Sequence, residues 1–152
     1  MLAITTYSAV MALHIMAVLA AYGLPLSAPV LLPYLRRRHP ESLAGFHDGQ
    51  HRLNVYLTGP GTALVLLFGI YMASEHHLWK QGWVHAGIGA IVLIGALGGW
   101  VVKATARLAE LAEVDVAGPE YDALYRRYLR VETLLGLIVL AAVFVMATKA
   151  LA

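Results

Sequence analysis

An all-α, polytopic membrane protein, a four-transmembrane-helix up-down bundle with both termini outside, is the fold class this chain predicts. Two observations lead there. Of its 152 residues, 60% are hydrophobic and only 13% are charged, with a mean hydropathy of +0.70, whereas soluble domains carry charge on about a quarter of their residues. The apolar residues also gather into four long segments separated by short polar ones. Strand-like alternation over about ten residues, the mark of a membrane β-barrel, is missing. One domain accounts for the whole chain, residues 1–152.

The first span runs from about Thr6 to Tyr34 and stops at Arg36-Arg37-Arg38. Its start lacks basic residues, and the apolar stretch outruns the ~7–15 residues of a signal-peptide core, so it reads as a membrane helix. The second span covers about Leu53–Ser74, between Arg52 and Glu75. The third covers about Trp83–Val102, with an amphipathic extension to Glu113. The fourth covers about Val131–Thr148, entered through a polar helix that begins at Pro119, with Glu120 and Asp122 in its first turn. Each has roughly the 20 apolar residues that a ~30 Å hydrocarbon core requires. Short connections at about Trp79–Gln81 and Val114–Gly118 make neighbouring spans antiparallel.

Basic residues set the orientation. Arg36, Arg37, Arg38, Arg52, Lys103, Arg107, Arg126, Arg127 and Arg130 flank the two even-side loops, while Lys80 and Lys149 stand alone on the other side. The positive-inside rule then places loops 1–2 and 3–4 in the cytoplasm. The net charge of +2 and pI of about 9.0 fit contacts with anionic lipid headgroups and do not call for nucleic acid. Absence of cysteine excludes disulfides, thiolate metal sites and cysteine nucleophiles.

Two spans carry helix-disrupting residues at similar depth. Pro25, Pro29 and Pro33 recur every four residues in span 1, and Gly59-Pro60-Gly61 sits in span 2. Each proline removes a backbone donor, so carbonyls near Ala21, Pro25 and Pro29 need partners that lipid does not supply. Either these are harmless kinks or they outline a cavity on the cytoplasmic side. Span 3 is glycine-rich, and its Gly95/Gly99 pair suits close helix approach, within the bundle, in a homo-oligomer or in a larger membrane complex.

Seven histidines are available for chemistry. His14 stands mid-span with apolar neighbours, where an imidazole needs a partner: an interhelical hydrogen bond, or haem iron. His85, about one turn inside span 3, is a candidate second ligand; Met16, Met72 and Met146 are alternatives by type. Glu75, His76 and His77 close span 2 at the outer surface, and with His85 could take Cu(II) or Zn(II), although adjacent helical residues diverge by about 100°. His39, His47 and His51 are expected in a wet polar loop, or, if span 2 begins early, His47 and His51, four apart, share a helix face as a candidate ligand pair. Tyr121, Tyr125, Tyr128 and Glu132 form a stripe at i, i+4, i+7 and i+11. The tyrosines are assigned to the headgroup belt. Glu132 is expected to form an ion pair with an arginine or to relay protons. No phosphate-binding loop, His-Glu-x-x-His helix or serine-triad signature is present.

Leu13-His14-Ile15, the Gly23-Leu24-Pro25 run and the basic stop after Pro33 resemble two groups. One is the HemJ-type protoporphyrinogen oxidases; the other is an uncharacterised family of predicted bacterial integral membrane proteins. The likeness to the second extends to Pro60-Gly61, Gly69, Trp83 and the ending Val145-Met146-Ala147-Thr148-Lys149. A general helical style is shared with copper-resistance membrane proteins. The HemJ-type resemblance implies haem b with His14 in the functional position. The pattern Trp-Leu-His-x-Lys of those enzymes reads here as Trp83-Val84-His85-Ala86-Gly87, with glycine in place of lysine, and their Asn-Glu as Val131-Glu132. The family likeness implies a bacterial cytoplasmic membrane. The functional expectations are therefore haem b binding for electron transfer or tetrapyrrole handling, a non-catalytic auxiliary subunit, or copper or zinc handling at the outer rim. If the protein is an enzyme, the resemblance implies a HemJ-like haem-dependent oxidoreductase.

Overall fold

The computed structural model describes residues 5–149. They form five α-helices and no strand: α1 (Thr6–Arg38), α2 (Leu43–Leu53), α3 (Gly59–Glu75), α4 (Gly82–Val114) and α5 (Pro119–Thr148). A single π-helical turn, Asn54–Thr58, joins α2 to α3, so the chain from Pro40 to Glu75 is nearly continuous helix. Four helical segments are thus long and apolar enough to cross a membrane, as the hydropathy pattern predicts.

These helices are longer than a bilayer needs. At 1.5 Å per residue, the 33 residues of α1 and of α4 reach about 50 Å, against a ~30 Å hydrocarbon core. The excess lies at the basic end, where the end of α1, α2, the end of α4 and the start of α5 continue the bundle beyond the apolar stretches. The segment expected as a wet loop is therefore the amphipathic helix α2, packed on α4. Hydrocarbon is absent there, but a helix with one apolar or hydrogen-bonded face still gains by burying it.

The prolines do not break α1. It runs through Pro25, Pro29 and Pro33 as one helix, and the carbonyl of Ala21, deprived of its helical donor by Pro25, accepts from Thr58 Oγ1 at 3.1 Å. Thr62 Oγ1 bonds the Thr58 carbonyl at 2.7 Å and accepts the Tyr22 hydroxyl at 2.9 Å. Side chains of the second crossing thus repair the first. The approach is close because position 61 is glycine: a Cβ there would stand 2.9 Å from Ala21 Cβ.

The termini of the helices follow local rules. Thr5 caps α1 by accepting from Ser8 N at 3.2 Å, and Arg36, Arg37 and Arg38 end it, where the helix dipole favours cations. Pro119 opens α5, and Asp115 Oδ1 accepts from Ala117 N at 2.9 Å in the preceding turn. His77 takes the left-handed conformation (φ 54°) to turn the chain after α3.

In space, α1 lies between α3 and α5, and α4 between α5 and α2, while α3 and α4 touch only lightly. The core runs along these contacts from Ala17, Ala21 and Tyr22 through Ala28 and Leu32 to Leu108, Tyr121 and Tyr128. The light α3–α4 contact leaves the bundle open at the end away from the arginines.

Gly61→Leu is expected to lower stability by about 1–3 kcal/mol, the usual cost of overpacking, because it pushes α3 off Ala21. Gly89→Leu, where a Cβ meets nothing within 4 Å, should leave the thermal midpoint of the detergent-solubilised protein unchanged.

Candidate functional site

Two features stand out, one at each end. At the end away from the arginines, α1, α3, α4 and α5 enclose a cavity of about 560 Å³, within the ~300–1,000 Å³ of small-molecule sites. Its wall is almost wholly apolar. His14, Val65, Gly87 and Met146 lie deep in it, and Tyr7, Trp79 and Trp83 stand towards the turn that joins α3 to α4.

His14 reaches this wall because the helix phase that buries Ala17 and Ala21 turns it towards α3. There the ring lies against Gly69, where a Cβ would stand in ordinary contact, 3.5 Å from His14 Cε1. The His14 Nδ1 atom is buried and has no hydrogen-bond partner. The interhelical serine, threonine or tyrosine partner that the sequence suggests is therefore not supplied to this atom. Gly87 is buried, and a side chain there would collide with the Met146 methyl group. The space that a lysine would need at this position is filled by the thioether of α5.

The other predicted ligands are placed differently. His85 is exposed, bonded through Nδ1 to the Gln81 carbonyl at 3.1 Å, and does not line the cavity. Met72 and Met146 do line it, whereas Met16 is exposed. Glu75, His76 and His77 are exposed; His76 packs edge-on against Tyr7 with ring centres 4.2 Å apart. Among the described residues, no three histidine, aspartate or glutamate side chains are grouped to hold a metal ion. The cavity is also at the opposite end from the prolines and the Gly-Pro-Gly sequence, so of the two alternatives for those residues it is not the one they outline.

At the basic end, a layer of polar side chains is buried between α1, α2, α4 and α5. His47 is fully buried, with Nδ1 3.0 Å from Gln50 Oε1 and Nε2 3.0 Å from the Tyr121 hydroxyl. Gln50 Nε2 donates to the Tyr128 hydroxyl at 3.1 Å, and Tyr128 donates to Glu132 Oε1 at 2.7 Å. His51 Nδ1 lies 3.0 Å from the Val102 carbonyl. Arg36 covers this layer, its guanidinium 4.6 Å from the Tyr125 ring centre and bonded to Asp122 at 2.7 Å.

Three expectations are corrected by this layer. His47 is a core residue and not part of a wet loop. Tyr121, Tyr125 and Tyr128 are 1%, 3% and 0% exposed, so they face the bundle interior and not the headgroups. Glu132 bonds a tyrosine, with no ion pair among the described residues. The signal was present in the spacing: Leu43, His47 and Gln50 share one face of α2, and the tyrosine stripe shares one face of α5. Matching the two faces requires knowing that α2 is a helix.

A bundle of four apolar crossings, with an apolar chamber at one end and a hydrogen-bonded polar layer at the other, is an integral membrane protein. The chain belongs to the family described as "predicted integral membrane protein (DUF2269)", whose model matches residues 8–149. No curated protein and no solved structure matches it.

Gln50→Leu would leave His47 Nδ1 without its partner and take the donor from the Tyr128 hydroxyl, which keeps its bond to Glu132. An orphaned buried group costs about 1–3 kcal/mol, so thermal unfolding should show a drop larger than that of the exposed control Leu53→Ala.

Proposed function

We propose that this protein binds haem b in the cavity at the end away from the arginines, with His14 as the axial ligand. It would then serve electron transfer or tetrapyrrole handling. The supporting observation is His14 Nδ1, a buried imidazole nitrogen without a partner on the wall of an apolar, ligand-sized chamber. Neutral histidine inside an apolar helical bundle is a common iron ligand.

The residues present fit such a group. The apolar walls suit a flat macrocycle, Gly69 and Gly87 keep two walls free of side chains, and Lys149 at the mouth is a cation for a carboxylate. Haem, when bound, supplies one-electron redox chemistry. The chain's own part is to hold His14 in one orientation, to exclude water with Val65, Ile91 and Val143, and to set polarity through Met146 and Met72. Met146 occupies the volume of a side chain at position 87. The lysine that the HemJ-type resemblance would require is Gly87 here, which favours electron transfer or tetrapyrrole carriage over oxidation of protoporphyrinogen. By the positive-inside rule, the cavity would then face the outer side of a cytoplasmic membrane.

The reduced-minus-oxidised absorption spectrum of the purified protein tests this. A b-type spectrum, abolished by His14→Ala and retained by His85→Ala, is the expected result. Failure to bind haem, even when haem is supplied during expression, overturns the reading.

A second reading has its own observation. Gly89, Gly95, Gly98 and Gly99 of α4 have open space where a Cβ would be, so this face is not used within the chain. Small residues of this kind admit another transmembrane helix, as in an auxiliary subunit of a larger complex. On this reading Gly95→Leu abolishes crosslinking to a neighbour in native membranes without changing the thermal midpoint, and unchanged crosslinking argues against it.

A further inference from the structure

The haem reading makes no use of Glu132, the most enclosed carboxylate among the described residues. It is 1% exposed, at the boundary between the polar layer and the apolar part of α5. Oε1 accepts the Tyr128 hydroxyl, and Oε2 is buried with no partner. The nearby cations are engaged elsewhere: Arg36 and Arg126 bind Asp122, Arg107 binds Glu110 and Glu120, and Arg52 binds Asp48. Among the described residues, no lysine, arginine or histidine nitrogen forms a salt bridge with Glu132. An ionised carboxylate has about four acceptor sites; here one is served.

The hydrogen bonds that reach it run in one sense. Tyr128 donates to Glu132, so its oxygen accepts from Gln50 Nε2. The Gln50 oxygen therefore accepts from His47 Nδ1, and that tautomer leaves Nε2 to accept from the Tyr121 hydroxyl. Four successive bonds point towards the carboxylate. Such a chain stabilises negative charge on Oε1 and leaves Oε2 as the atom with capacity to spare. The other groups of this layer are accounted for. From α1 comes Arg36, held by Asp122. From α2 comes His51, at the Val102 carbonyl, and from the π-helical turn comes the buried Asn54. From α4 comes Thr105, whose hydroxyl bonds its own helix. From α5 comes Tyr125, whose buried hydroxyl also lacks a partner, seven residues before Glu132 and on the same stripe.

We infer that Glu132 is a reversible proton-binding site, with Oε2 as the atom that takes the proton and Tyr128, Gln50, His47 and Tyr121 as positioning residues. On uptake, hydronium gives a proton to Oε2 and becomes water, forming the neutral acid; on release, the proton returns to water and the carboxylate is restored. No redox partner is needed, and the inference stands independently of haem.

Infrared difference spectra of the full-length protein in lipid nanodiscs, recorded across a pH series, test it. The expected result is a protonated-carboxyl stretch that grows on acidification, vanishes on alkalinisation, shifts in heavy water and is absent from Glu132→Gln. Tyr128→Phe, which removes the donor to Oε1, should move its midpoint to higher pH by about one unit, since both forms lose a bond and the ionised form loses the stronger, charge-assisted one. If Glu132→Gln does not fold, Tyr128→Phe and selective isotope labelling of glutamate carry the assignment. A Glu132 band constant over the whole series, or a titrating band that survives Glu132→Gln unchanged, overturns the inference. So does a midpoint indifferent to Tyr128→Phe.

Discussion

Hydrocarbon offers no partner to a hydrogen-bonding group, and most of this architecture is an answer to that constraint. The first crossing spends three prolines within nine residues, each of which strips a donor from a carbonyl. At the first of them the freed Ala21 carbonyl is met by Thr58 of the second crossing, with Thr62 bonded to Tyr22 beside it, and the two helices stand this close because Gly61 admits Ala21. Packing and hydrogen bonding are one requirement here: without the close approach, the Ala21 carbonyl would face lipid unpaired.

The same constraint explains why the polar layer lies where it does. His47, Gln50, Tyr121 and Tyr128 are buried beyond the apolar stretches, in a part of the bundle formed by helices that overshoot the bilayer. Each satisfies its neighbour, and Arg36 closes the layer by lying against the tyrosine rings while bound to Asp122. At the opposite end, the bundle is held apart by the light contact between α3 and α4, and the space is lined with side chains that need no partner. His14 is the exception there, as Glu132 is in the polar layer. In each case a buried polar atom with acid–base chemistry is left over, which makes these two positions the natural places to look for chemistry.

Much of this could be read without coordinates. Hydropathy alone located four crossings, since the length of each apolar run is dictated by membrane thickness, and Pro119 with Glu120 and Asp122 marked a helix start for purely local reasons. His14 was singled out because an imidazole amid apolar neighbours has few uses. Its direction was hidden, because a span that is apolar all round has no preferred face. The segment 39–52 was harder: its polarity said loop, whereas its partner α4 makes it helix and turns His47 inward. The tyrosine stripe was visible as a pattern, but a stripe of amphipathic rings suits a headgroup belt and a bundle interior equally well until the helix opposite is known.

Composition and segment length by themselves determined that this chain is all-helical, has four segments long and apolar enough to cross a membrane and carries its arginines at one end, because these follow from the free energy of placing each segment in lipid or water. Tertiary structure alone decided which polar atoms are paired. Whether His14, His47 and Glu132 meet a donor, an acceptor or nothing depends on the rotation and closeness of helices distant in sequence, and no local rule contains that information.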